Sequence, residues 1–160
     1  MVFDDVPAEP YDPPRVSVRD VAITALAAEQ TGGAERCVEL ATAYAKTREQ
    51  FGRPIGSFQA IKHKLADLLL SVESARSAAR YAAWTADHEP GRLPIAAGAA
   101  GSYCGEAYLR AAGENIQIHG GIGVTWDHDA HLYFRRATSS ARLFGAPSAH
   151  RARIAPLIGL

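Results

Sequence analysis

The chain has 160 residues, of which 48% are hydrophobic and 21% charged, a length that predicts one globular domain with its own core. Lys plus Arg and Asp plus Glu both number 17, and this zero net charge argues against a nucleic-acid-binding protein. No stretch approaches the roughly 18 apolar residues of a membrane span, and the acidic N-terminus does not have the pattern of a signal peptide. We therefore expect a cytoplasmic protein with no membrane span.

The first part of the chain is rich in proline. Residues 1–14 contain four prolines, three aspartates and one glutamate, so residues 1–16 are predicted to form an extended lead-in. Val2 and Phe3 could end a β-strand, but no other strand pattern follows that could pair with them. Residues 17–160 contain neither repeats nor a linker, so we predict that they form a single unit.

The first helix is predicted over residues 18–46. Ser17, with Asp20 three residues later, is an Asp variant of the capping box, which is a helix-start signal. Gly32 and Gly33 interrupt this helix, and we expect that they allow close contact with another helix.

A loop and a second helix follow. The two glycines and one proline between Phe51 and Phe58 predict a loop over residues 48–59. Apolar residues at helical spacing then predict a helix over residues 58–87. The members of that stripe are Ile61, Leu65, Leu68, Leu69, Val72, Ala75, Ala79 and Ala82.

The remaining elements are also helical. Residues 95–119 are dominated by alanine and glycine, which brings helices close together and predicts a central position in a bundle. Asp127 is expected to cap a fourth helix that ends at Gly145, and Pro147 to open a short last one. The predicted fold is therefore all-α, an antiparallel four-helix bundle with an additional short C-terminal helix.

Metal-binding residue types are present but form no recognisable site. Cys37 and Cys104 match no metal or redox spacing, so we expect two small buried side chains. His128 and His131 share a helix face, but no further ligand follows at a metalloprotease spacing. No Gly-x-Ser-x-Gly elbow indicates a hydrolase either. We predict no metal site.

Two segments have a composition suited to a ligand. Residues 117–123, QIHGGIG, place bare backbone near a helix end, where a polar ligand could approach or where a plain helix C-cap would suffice. In residues 48–59, Arg48, Phe51 and Gln59 suit a ligand with phosphates and a flat ring, although the arginine could equally be exposed and the phenylalanines anchor the loop. The C-terminal arginines are interpreted as a solvated face: Arg135, Arg136, Arg142, Arg151 and Arg153.

Taken together, these two segments resemble the C-terminal helical domain of the acyl-CoA dehydrogenases. The pattern Arg48-x-x-Phe51-Gly52-x-x-Ile55-x-x-Phe58-Gln59 is similar to the family's loop, and residues 117–123 to its glycine motif. Their separation also matches, and the likeness extends over the chain from about Ser17 onward.

The resemblance implies a flavoprotein that removes a proton α to a thioester carbonyl and passes a hydride from the β-carbon to FAD. The C-terminal bundle would form the oligomer interface and reach the FAD of a neighbouring subunit. By position, Arg48 and Phe51 would meet the adenosine pyrophosphate, with Gln59 beside them. Gln117, Gly120 and Gly121 would line the adenine end.

The expected catalytic base is replaced. In much of the family it is a Glu before a glycine near the end of the fourth bundle helix, and this position falls on Phe144, followed by Gly145. A second subgroup carries it on the first helix, at the position of Ala22. Glu29, two turns further on, is the next acid along that helix. We therefore predict no catalytic residue in this chain.

The chain is also less than half as long as members of the family, and residues 2–7 resemble the tail of the central β-domain that precedes the bundle. We expect a fragment, a split gene product or a stand-alone bundle. It would join a homo- or hetero-oligomer in which another subunit or domain completes the flavin site and acyl-CoA is the substrate. The alternative is a non-catalytic dimerisation scaffold that binds no flavin, and oxidase chemistry on the same fold stays open.

Overall fold

The structure, a computed structural model, describes Pro7 and residues 17–160, so the predicted lead-in, Pro7 apart, lies outside the described residues. The helices are α1 (Val18–Thr47), α2 (Gln59–His88), α3 (Leu93–His119), α4 (Ala130–Ser140) and α5 (Pro147–Ile154). A two-stranded hairpin between α1 and α2 consists of β1 (Glu49–Gln50) and β2 (Arg53–Pro54). The all-α bundle with a short C-terminal helix is confirmed. None of the described helices is long and apolar enough to cross a membrane.

Helix α3 lies at the centre of the bundle and runs parallel to α1. Ile23 near the start of α1 shares a buried cluster with Ala97 near the start of α3. Ala34 shares one with Ala111, and Ala41 shares one with Ile118 near the end of α3. Because most of these side chains are small, the two helices pack directly on each other. The ends of α1 and α3 therefore lie at the same end of the bundle.

One of the two adjacent glycines in α1 is required by packing. A Cβ built on Gly33 would lie 2.5 Å from Cζ of the buried Tyr108 ring on α3, whereas one built on Gly32 would meet nothing within 4 Å. The predicted close helix contact is thus confirmed for Gly33 and wrong for Gly32. The predicted burial of Cys37 and Cys104 is also confirmed, since both are fully buried free thiols.

The N-terminus of α1 is fixed differently from the prediction. Ser17 makes no side-chain capping bond, so the predicted capping box is wrong. Asp20 is buried instead and accepts a hydrogen bond from Nη2 of Arg153, where α5 ends. A buried carboxylate needs such a partner. This ion pair ties α5 to the start of α1.

Two other arginines also bind acidic groups of the bundle. Arg136 on α4 donates to both carboxylate oxygens of Glu29, at 2.5 and 2.6 Å, and Arg151 on α5 donates to Glu106 at 2.9 Å. Arg136 and Arg151 stay exposed in these ion pairs, as predicted for a solvated face, whereas Arg153 is half-buried against Asp20.

The fourth helix is shorter than predicted. It begins at Ala130 after Asp129 and ends at Ser140, so the predictions of Asp127 as its cap and Gly145 as its end are wrong. The backbone N–H of Ala130 instead donates to Nδ1 of His128 at 3.0 Å.

Leu69 of the predicted α2 stripe is 52% exposed, because it lies at the edge of the face that meets α1 and α3.

The adjacent glycines of α1 provide a matched pair of substitutions. Gly33→Ala should destabilise the chain by about 1–3 kcal/mol, because the new methyl group overlaps the buried Tyr108 ring. Gly32→Ala should stabilise it by about 0.5–1 kcal/mol, since alanine is the better helix former and has room here. Urea unfolding measures both free energies. Equal changes in the two variants would contradict the packing described for Gly33.

Candidate functional site

The loop after α1 forms a tight hairpin that exposes an aromatic ring. Gln50 pairs with Arg53 across the two strands, and the two residues between them, Phe51 and Gly52, have φ angles of 53° and 74°. Positive φ at both central residues is the requirement of a type I′ turn. For Phe51 this conformation is strained, and its side chain is 91% exposed.

A second aromatic ring and a guanidinium accompany Phe51. The rings of Phe51 and Phe58 meet edge to face, with centroids 6.1 Å apart. Cζ of Arg53 lies 4.2 Å from the centroid of Phe58, which is a cation–π contact. The sequence motif does not single out Arg53, and only the hairpin pairing brings its side chain over this ring.

Arg48 and Gln59 stand at the two ends of this loop. The backbone of Arg48 caps α1, donating to the carbonyl of Tyr44 at 2.8 Å and accepting from the N–H of Ile55 at 2.8 Å. Its side chain is exposed. Gln59 is the first residue of α2 and is also exposed. Both side chains are therefore free to reach a ligand outside the bundle.

The glycine segment ends α3 in a turn that requires glycine. Gly120 has φ 64° and ψ −140°, a conformation that side chains disfavour, and its N–H bonds to the carbonyls of Ile116 and Gln117. A Cβ on Gly123 would lie 2.9 Å from the carbonyl oxygen of Ile116. A Cβ on Gly121 would meet nothing within 4 Å, and Gly121 has no positive φ. Nothing in the described chain accounts for a glycine at that position.

Both segments lie at the same end of the bundle. Ala45 of α1 and Ile118 of α3 belong to one buried cluster, against which Ile55 of the loop also packs. The rings of Tyr44 and His119 have centroids 4.4 Å apart, and these residues precede Arg48 and Gly120. Gln117, Gly120 and Gly121 are all exposed there.

The two positions at which the resemblance places a base, Phe144 and Ala22, contain no acid and lie toward the other end. Phe144 is half-buried against Ile23 and Leu93, and its carbonyl accepts a hydrogen bond from Arg19 at 3.1 Å. Ala22 is half-buried as well. From Ala22 to Arg48, α1 rises by about 39 Å.

Glu29 is not available as a substitute base. Its hydrogen bonds from Arg136 lower its pKa below the ordinary value for a glutamate, which makes this carboxylate a weaker proton acceptor and holds it in an ion pair. The described residues contain no group of three or more His, Cys, Asp or Glu side chains that could hold a metal ion. His131 instead packs its ring against Trp126, with centroids 4.7 Å apart.

The fold is an all-α helical bundle, and two exposed segments lie at one end of it. Residues 22–158 match the family model described as acyl-CoA dehydrogenase, C-terminal domain. The chain belongs to the acyl-CoA dehydrogenase family, which is FAD-dependent, and it corresponds to that C-terminal domain.

Similar proteins cover nearly all of the described chain. Acyl-CoA dehydrogenase IpdE2 of Mycobacterium tuberculosis is 50% identical over 84% of this chain and 40% of its own length. Acyl-CoA dehydrogenase FadE34 of the same organism is 44% identical over 98% of this chain and 22% of its own length. In the crystal structure of the ChsE4–ChsE5 complex, also from that organism, a chain matches with TM-score 0.83 and 36% identity, over 89% of this chain and 39% of that one. This chain thus spans about two fifths or less of the proteins it resembles.

Substitution of the exposed glycines separates backbone strain from any binding role. Gly120→Ala should destabilise the chain by about 1 kcal/mol, because alanine disfavours the φ of 64°. Gly121→Ala should change the free energy of unfolding by less than about 0.5 kcal/mol, since the methyl group has open space. Chemical unfolding of both variants measures this difference. Marked destabilisation by Gly121→Ala would contradict the open environment.

Proposed function

We propose that this chain is the FAD-contacting and oligomerisation domain of a flavin-dependent acyl-CoA dehydrogenase. Such an enzyme catalyses the α,β-dehydrogenation of acyl-CoA thioesters. Within this proposal it contributes cofactor contacts but no base. The observation that carries the proposal is Gly121, an exposed glycine that neither backbone strain nor packing explains, in the same turn as Gly120. Close approach of a ligand to the backbone would explain it.

The residues at this end fit the chemistry of FAD. The exposed guanidinium of Arg48 can fork onto pyrophosphate oxygens, and the exposed Phe51 ring offers an apolar surface beside it, with Gln59 at the start of α2. Across the end of the bundle, Gln117 and the bare backbone of Gly120 and Gly121 would line the adenine. When bound, FAD would supply the acceptor for the hydride that leaves the β-carbon of the substrate.

The proton α to the thioester carbonyl of the substrate would have to be removed by a base on another chain. Phe144 and Ala22 cannot accept one, and Glu29 is engaged by Arg136. The cofactor-facing residues are also separated from Ala22 by most of the length of α1, so the two places would belong to different active sites. We therefore propose that the chain works in a heteromer whose other subunit carries the base, as a partner within a cytoplasmic enzyme.

Exposed apolar side chains at the cofactor end support a partner. Phe51 is 91% exposed, Trp126 82% and Val124 68%. Large apolar groups this exposed near one end of a domain are typical of a surface covered by another chain. A partner subunit or domain that carries the rest of the flavin site would cover them.

Arg48→Ala tests the cofactor contact. In a complex purified with candidate partner subunits, this variant should weaken FAD retention by about tenfold or more, since a hydrogen bond to a charged group contributes about 1.5–3 kcal/mol. Gln117→Ala should weaken it as well. The absorbance of the flavin that remains after gel filtration measures this loss.

Arg80→Ala is the control, because Arg80 is an exposed arginine far along α2 from Gln59. If Arg48→Ala and Gln117→Ala change neither flavin retention nor partner binding, the non-catalytic scaffold is the better explanation. Complexes that never carry flavin absorbance would contradict the proposal outright.

The isolated chain should have negligible dehydrogenase turnover, because it offers no base. Phe144→Glu should not restore activity to the isolated chain either, since most of the flavin and acyl pockets would belong to other domains. Enoyl-CoA formation with an artificial electron acceptor measures both. A rate clearly above that of a blank without protein would refute this prediction.

A further inference from the structure

Three aromatic rings, called the ring stack below, pack one against the next beside the glycine turn, with ring planes tilted by 31° and 48°. The His119 ring has its centroid 4.4 Å from that of Tyr44 on α1 and 4.3 Å from that of His128, in the segment before α4. His119 is only 5% exposed. The stack therefore joins α1, the end of α3 and the chain that leaves the turn.

Hydrogen bonds fix the orientation of both imidazoles. Nδ1 of His119 lies 2.8 Å from the carbonyl oxygen of Asn115 and must donate to it. Nδ1 of His128 accepts a hydrogen bond from the N–H of Ala130 at 3.0 Å. A further proton on His119 would place a charge on a ring that is almost fully buried.

The stack also connects the two halves of the proposed cofactor site. Tyr44 lies one helical turn before Arg48, and its carbonyl accepts the capping hydrogen bond from Arg48. His119 immediately precedes Gly120. The ring contact between Tyr44 and His119 is thus a direct side-chain link between the helix that presents Arg48 and the turn that exposes the glycine backbone.

We infer that Tyr44, His119 and His128 are positioning residues, whose packed rings hold the glycine turn in place beside Arg48, and that proton uptake by the buried His119 releases the turn and makes the site acid-labile. This inference rests on the proposed function and adds a form of regulation to the same site.

The direction of the pH effect follows from the surroundings of His119. Burial lowers its pKa below the ordinary 6.5, and His128 lowers it further, against the opposite effect of the bond to Asn115. Two titratable side chains pack against the His119 ring: Tyr44 from α1 and His128 from the segment before α4. The exposed Asp127 and Asp129 flank His128 in sequence.

A lowered pKa means that the proton binds better once the ring is released. The stacked arrangement is therefore fully stable above the ordinary histidine pKa of 6.5, and its stability falls as the pH drops through that value toward the folded-state pKa. His150 is a second buried histidine whose pKa is lowered, chiefly by burial. His150 packs beside Gly101 and Gly145, toward the other end of the bundle. A measurement local to the glycine turn is therefore needed to separate the effect of protonating His119 from that of protonating His150.

Amide resonances of Gly120 and Gly121 provide that local measurement on the full chain without flavin. Between about pH 7.5 and about pH 5 they should shift and broaden as His119 is protonated. In His119→Phe, which keeps a ring but cannot take up a proton at this position, most of this response should disappear. His88→Ala, on an exposed histidine at the end of α2, should leave the response unchanged.

Flavin retention tests the same inference in the complex. His119→Phe should hold FAD at about pH 5.5 nearly as well as at about pH 7.5, whereas the wild type should lose it about tenfold more readily at the lower pH. Tyr44→Phe should behave as wild type, and Tyr44→Ala should lose FAD at both pH values because the ring contact is gone.

The outcomes separate this inference from the proposal beneath it. Glycine amides that do not respond to pH, or that respond equally in His119→Phe, would overturn the inference even if Arg48→Ala abolishes flavin retention. Conversely, if Arg48→Ala has no effect on flavin, the proposed function fails, while the amide measurement still decides whether the stack controls the turn.

Discussion

The direct contact between α1 and α3 is the constraint on which the rest of the structure depends. Small side chains such as Ala34 and Ala111 allow the two helices to pack closely, and Gly33 accommodates the Tyr108 ring between them. Because α2 returns antiparallel before α3 begins, α1 and α3 run in the same direction. The loop after one and the turn after the other therefore meet, although about 70 residues separate them in sequence.

The two ends of the bundle differ as a result. One end exposes an arginine, an aromatic ring and bare glycine backbone. At the other end Phe144 packs on Ile23 and Leu93, and the buried Asp20 is neutralised by Arg153. One end of the bundle thus presents residues suited to a cofactor, and the apolar Phe144 packs at the other.

The open end is held in shape before any ligand arrives. The type I′ turn keeps Phe51 in an unfavourable conformation while Phe58 and Arg53 support the aromatic group. On the other side of the site, the rings of Tyr44 and His119 support the glycine turn. Preorganisation of this kind reduces the ordering that a partner or cofactor would otherwise have to impose.

The sequence alone determined the long helices and the two exposed segments. Periodicity and glycine or proline boundaries predicted α1, α2 and α3 to within two residues, because these signals are local, and the spacing of Arg48, Phe51 and the glycines identified the family. The roles of Asp20 and Asp127 were wrong because capping rules consider only the neighbouring turn. Only the tertiary structure decided that Asp20 pairs with Arg153, that Arg53 covers Phe58, and that Tyr44, His119 and His128 stack. These contacts join distant residues or depend on the register of a hairpin, which no local pattern encodes.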